Sequence, residues 1–170
     1  MHRLRVHQGD ITKLEVDAIV NAANNRLAGG GGVDGAIHRA AGPLLLEACL
    51  RLNGCPTGEV KLTHGFDLPA RYVLHAVGPV WQGGHHGEAK LLAKCYQHAM
   101  QIAREEGITS IAFPAISCGV YHFPADQAVE IAVREVVKAL PANPQIEEVV
   151  FCCYDDEMAN LYRQQLEAVS

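Results

Sequence analysis

The sequence predicts a three-layer α/β/α protein with a central mixed sheet. Short apolar runs with strand-like character alternate with segments of helical periodicity along all 170 residues. Two loops rich in glycine and small residues each follow such a strand and lead toward a helix. No internal repeat, linker or low-complexity segment interrupts the order.

Leu4 and Val6 alternate with polar neighbours between Arg3 and Gln8, and Asp17 to Ala22 carries Ala18-Ile19-Val20, so both segments read as strands. From Asp34 onward the chain turns helical, breaks at Gly42-Pro43, and resumes as a second helix across Leu44 to Leu52. Val60 to Phe66 and Arg71 to Val77 read as strands joined by a turn around Leu68-Pro69. A loop holding Gly83, Gly84, His85, His86 and Gly87 follows. Glu88 to Glu106 places Leu91, Leu92, Cys95, Ala99, Ile102 and Ala103 on one face and stops at Gly107, which predicts an amphipathic helix. Thr109 to Phe113 is a short strand. Pro124 is placed at the first position of a helix carrying Ala128, Ala132, Val136 and Leu140, ended by Pro141 and Pro144. Glu148 to Tyr154 is almost wholly apolar, which predicts a strand in the middle of the sheet. Asp155 to Val169 closes the chain as a helix.

A composition 49% apolar fits one domain with a sizeable core. No apolar run approaches the roughly 20 residues of a membrane helix, and the segment from Met1 to Arg5 lacks a signal-peptide apolar stretch, so a cytoplasmic protein with no membrane partner is expected. The six cysteines show no C-x-x-C pair, and adjacent Cys152 and Cys153 fall on opposite faces of a strand; reduced, mostly buried thiols are expected. A formal charge of −5 argues against bulk capture of nucleic acid, which depends on many cations neutralising phosphates. It does not argue against one diphosphate held by backbone N–H groups.

The run Gly29-Gly30-Gly31-Gly32 is costly to fold, roughly 0.5 to 1 kcal/mol per glycine inside an element, so something must approach that backbone closely. The second loop is Ile116-Ser117-Cys118-Gly119-Val120. Both are expected to use a following helix N-terminus to grip phosphate without a lysine. The nucleotide fingerprints fail: there is no G-x-x-x-x-G-K-[ST], and G-x-G-x-x-G fits loosely at best.

Gly9-Asp10-Ile11-Thr12, Asp17 to Asn24 with its N-A-A-N, the stretch Gly29 to Gly42, Leu74 to Pro79, Ser117-Cys118-Gly119-Val120-Tyr121 and Val149-Val150-Phe151 together resemble the macrodomain family, MacroD-type branch, in order across nearly the whole chain. The resemblance implies a single macrodomain over residues 1–170 with ADP-ribose as ligand. It implies hydrolysis of O-acetyl-ADP-ribose and of ADP-ribose esters on the Asp and Glu side chains of mono-ADP-ribosylated proteins. No cofactor and no metal is expected. The His85-His86 pair lacks a partner in ligand spacing and reads as a solvated loop.

The resemblance also assigns roles. Asp10, with Ile11 beside it, contacts the adenine amine; the residues alone read equally as a turn aspartate capping Thr12-Lys13. Tyr154 stacks near adenine or packs in the core. Asn24 holds the distal ribose and Asp34 orients a water, although a turn asparagine and a helix cap would look the same in sequence. A carboxylate in a helix first turn is favoured in its charged form, so orientation rather than basicity is expected to dominate. His38, four residues after Asp34, orients that carboxylate or packs beneath it. Gly30, Gly31, Gly32, Val33, Ser117, Cys118, Gly119 and Val120 bind the diphosphate, and Tyr121 covers the distal ribose, with or without a chemical part.

Cys118 stands where the family more usually has threonine, and His122-Phe123 where a Gly-Tyr pair is commoner. Both bear on loop shape and rate. The segment Arg51 to Cys55 is shorter than in some bacterial relatives and reads as a trimmed surface connection. The alternative function is a reader that binds ADP-ribose without chemistry, and the pair Asn24 with Asp34 favours the enzyme. Some bacterial relatives regulate an RNA-processing enzyme by contact; a partner of that kind is a further expectation, which the acidic composition does not test.

Overall fold

The computed structural model describes residues 3–169. Six strands form one sheet: β1 (Leu4–Gln8), β2 (Ala18–Ala22), β3 (Val60–His64), β4 (Tyr72–Ala76), β5 (Ser110–Phe113) and β6 (Glu148–Cys153). Their order is β1-β6-β5-β2-β4-β3, all neighbours parallel except the antiparallel hairpin β3/β4. The three-layer fold with a mixed sheet is therefore as the sequence predicts.

Five helices cover the sheet: α1 (Gly32–Ala41), α2 (Pro43–Leu50), α3 (Glu88–Glu106), α4 (Ala125–Ala139) and α5 (Asp156–Val169). Ile37, Ala41, Leu45 and Cys49 of α1 and α2 pack with Ile19, Val73, Ala112 and Val150 on one face. Leu92, Ala99, Ala132, Val136 and Tyr162 of α3, α4 and α5 pack with Val20, Leu74, Phe113 and Phe151 on the other. The period-2 alternation of the strands sorts these two sets. Cys152 and Cys153 divide between the two cores accordingly, and all six cysteines are free thiols.

Several boundaries differ from expectation. β6 is interior but lies one strand from the edge; β5 and β2 hold the centre. Pro124 is the N-cap of α4 rather than its first residue. α1 begins two residues before Asp34, so Asp34 is in the first turn and caps nothing; the N-cap is Gly31. In α3 the buried face runs through Leu92, Cys95, Tyr96, Ala99, Met100 and Ala103, with Leu91 and Ile102 at its margins.

The His85-His86 loop is exposed but not loose. Both Glu88 carboxylate oxygens turn back to accept from the backbone N–H groups of Gln82, Gly84 and His86 at 2.7 to 2.9 Å. Burial opposes ionisation, yet these donors, together with Glu88's own N–H, outweigh it and hold the carboxyl at about 2. Among the described residues no helix is long and apolar enough to cross a membrane, and no group of three or more His, Cys, Asp and Glu could hold a metal ion.

Candidate active site

In a sheet with parallel central strands, ligands collect where loops leave the carboxyl ends of the strands. Here the sheet also splits at that end: only Ala18 and Ile19 of β2 pair with β5, whereas β2 stays paired to β4 through Ala22. A cleft of about 500 Å³ opens there. Its walls are Ala22 to Asn24 and Gly30 to Asp34 at and after the end of β2, Gly78 after β4, Pro114 to Tyr121 after β5, and Tyr154, Asp155 and Met158 after β6.

Among the described residues no lysine or arginine lines it. An anion would have to be held by main-chain N–H groups, which the loops supply without side chains in the way. α1 aims its free N-terminal N–H groups from the glycine wall. The second loop does not use a helix as predicted: α4 starts only at Ala125, and no residue from 122 to 128 lines the cleft. That loop instead closes on itself, Phe123 N–H donating to Ser117 O and His122 N–H to Gly119 O. Its offered donors are the loop's own amides.

The glycines serve different ends. Gly32 takes φ +56, a left-handed start to α1 that an L side chain resists. Gly30 lies against the catalytic candidates: a Cβ there would sit 3.2 Å from Asp34 Oδ2 and 3.6 Å from Asn24 Nδ2.

Asp34 is 6% exposed. Its Oδ1 accepts from Asn21 Nδ2 at 2.8 Å and lies 3.4 Å from His38 Nε2, one turn on. His38 thus touches the carboxylate from outside the cleft, in a shallow depression behind the glycine loop. Asn24 is held in its loop by donating to Gly29 O at 2.9 Å and accepting from Arg26 N–H at 3.2 Å. Its amide keeps one donor and one acceptor position for a ligand.

Gly30, Gly31, Gly32, Val33, Ser117, Cys118, Gly119, Val120, Tyr121 and Tyr154 all line the cleft. Tyr154 is 94% exposed and Val120 84%, so both stand at the rim; the core reading of Tyr154 fails. Asp10 and Ile11 do not line it. Ile11 is buried in the core beneath α1, and Asp10 caps a 3-10 turn, its Oδ1 accepting from Thr12 Oγ1 at 2.7 Å and Thr12 N–H at 2.9 Å. The Thr12 hydroxyl and then its N–H hold the Asp10 carboxyl below its ordinary value.

Burial pushes the Cys118 thiol up to about 11, far from the thiolate a nucleophile needs. The departures at 122 and 123 have visible consequences. His122 sits at φ +58, a conformation glycine adopts freely, and Ser117 at φ +66, so both ends of the loop are strained. Phe123 is buried against Trp81, rings 4.9 Å apart.

Sequence patterns do not point to Asp155 or Met158, which line the cleft, nor to the roles of Asn21 and Gly78. Asn21, first of the N-A-A-N, supports Asp34, and Gly78 leaves room for Ser117, whose Oγ a Cβ there would overlap.

Fold and cleft together define an α/β protein whose ligand site is a strand-end pocket walled by bare backbone. The Macro domain profile matches residues 20–132, and the chain belongs to that family. It is 56% identical over 167 residues to a macro domain-containing protein of Methanosarcina mazei, covering 98% of this chain and 89% of that protein. It is 53% identical over 168 residues to the O-acetyl-ADP-ribose deacetylase of Escherichia coli K12, covering 96% and 95%. A Trypanosoma brucei macrodomain in complex with ADP-ribose matches with TM-score 0.91 and 45% identity, covering 96% of this chain and 69% of that one.

Proposed function

We propose that the protein binds ADP-ribose and hydrolyses its esters, O-acetyl-ADP-ribose and ADP-ribosylated protein carboxylates, as one macrodomain spanning residues 1–170. The observation that carries this is Asp34: a carboxylate reaching the cleft with one oxygen engaged by Asn21 and the other beside Gly30. A site that only gripped an anion gains nothing from a buried acid, which would repel it. The relative named O-acetyl-ADP-ribose deacetylase and the neighbour holding ADP-ribose support the same reading.

The diphosphate lies between the two loops, on the N–H groups of Gly30 to Val33 and Ser117 to Val120. Tyr154 and Asp10 flank the adenosine end, Asp10 from outside the cleft; Tyr121 closes over the distal ribose. Asn24 holds a hydroxyl of that ribose. Asp34 Oδ2 aligns a water whose oxygen bonds to the ester carbonyl carbon. The carbon–oxygen bond to the ribose breaks, the proton passing by way of a diphosphate oxygen to the leaving oxygen, and acid and ADP-ribose depart. Holding the water against its target, rather than drawing its proton, is what this geometry offers.

The deciding experiment supplies O-acetyl-ADP-ribose and a protein ADP-ribosylated on acidic side chains, side by side, and follows released ADP-ribose with and without chelator. Release from both, unaffected by chelator, is expected. Binding with no release from either would leave a reader.

A further inference from the structure

Two strands distant in sequence place an imidazole directly behind the catalytic candidates. In the parallel pairing of β2 with β4, Asn21 lies opposite His75, and both are 0% exposed. The single Nδ2 of Asn21 is 2.8 Å from Asp34 Oδ1 and 3.1 Å from His75 Nδ1. It has two hydrogens and both are committed. His75 Nδ1 is therefore the bare, accepting nitrogen, and Nε2 carries the proton toward Thr63 Oγ1 at 2.9 Å, with Cys49 Sγ at 3.6 Å. Burial, with His38 adding to it, disfavours a charged ring here and holds His75 at about 3.

Asn21 Oδ1 is buried and has no partner among the described residues. Turning the amide over would set that oxygen against the Asp34 carboxylate oxygen, so Asp34 fixes which way the amide faces, and the second Nδ2 hydrogen then calls for a bare Nδ1 on His75.

We infer that His75 is a positioning residue for the hydrolysis: its bare Nδ1 locks the Asn21 amide, and the amide sets the direction in which Asp34 presents its free oxygen. The inference rests on the hydrolase reading above. His75 touches neither the cleft nor Asp34 and acts only through Asn21.

Three variants separate this from packing. In His75→Asn the amide oxygen stands where Nδ1 stood and keeps the acceptor for Asn21. His75→Gln reaches only toward Thr63, and His75→Phe fills the volume with neither bond. The readouts are kcat and KM for O-acetyl-ADP-ribose, Kd for ADP-ribose by calorimetry, and thermal unfolding. His75→Gln and His75→Phe should lose about tenfold in kcat with Kd within about twofold. His75→Asn should keep most of its kcat although it leaves the larger void and unfolds at lower temperature. Wild-type kcat in folded His75→Gln and His75→Phe, or activity that simply follows thermal stability, overturns the inference. Nitrogen NMR of the unmodified protein needs no variant and no turnover: an unprotonated Nδ1 coupled to the Asn21 amide upholds the lock, and a protonated Nδ1 ends it. If wild-type protein turns nothing over, the hydrolase reading falls while this measurement still judges the lock.

Discussion

Asn21 and Asp34, thirteen positions apart, join at 2.8 Å between a buried amide nitrogen and a carboxylate oxygen. The bond ties the first turn of α1 to β2, so the acid is aimed by the sheet rather than by the loop around it. Asp34→Ala should cut kcat for O-acetyl-ADP-ribose by at least about a hundredfold while ADP-ribose Kd changes little. Single-turnover release against calorimetric binding reads this directly, and intact turnover would refute the role of Asp34.

Asn24→Ala should behave differently. Its amide braces the loop at Gly29 O and the Arg26 N–H as well as facing the cleft, so both KM and kcat should worsen. A change in kcat alone would mean that the loop does not depend on this amide.

Gly35 is buried where α1 crosses the glycine loop, and a Cβ there would stand 2.5 Å from Gly30 O. Gly35→Ala improves helix propensity yet should lower stability by about 1 to 3 kcal/mol and weaken ligand binding, because backbone must yield. Denaturant titration of the two proteins decides it; equal or greater stability in the variant would show that the loop relaxes freely.

Glu88 links stability to pH. Its carboxyl stands at about 2 in the folded chain against an ordinary 4.5, so the native state favours the ionised form. This stabilisation is fully present above about 4.5 and is lost as pH falls through 2. The gap in Tm between wild type and Glu88→Gln should be widest near neutrality and shrink steadily below pH 4.5. A gap independent of pH would show that the charge is immaterial to the loop.

Cys118→Ser should leave hydrolysis within a few-fold of wild type, since a thiol held at about 11 is protonated at neutral pH. Complete loss of turnover with binding retained would instead make the sulfur a nucleophile.

What the sequence disclosed, and what it hid, follows range of interaction. Helices, strand runs and the glycine loop are local patterns, and Asn24 and Asp34 flank that loop, so their place at the cleft is legible. Asn21 and His75 are each one polar residue inside an apolar strand run, and only the β2/β4 register brings them together. No spacing rule carries that information. Asp10 shows the opposite: its local hydrogen bonds to Thr12 are what its sequence context suggests, and it stays outside the cleft. The second loop precedes a helix and so reads as a helix N-terminal grip, whereas strained backbone at Ser117 and His122 curls the segment before α4 begins.

The cleft draws its walls from chain segments near residues 22, 32, 117 and 154, which converge only when β2, β5 and β6 lie side by side. No one of these segments encloses it. Any occupant consequently favours the fully assembled chain alone, contributing about 2.7 kcal/mol when present at a hundred times its Kd. A thermal melt thus becomes a chemistry-free assay: compounds can be ranked by how far they raise the melting point, before any reaction is known.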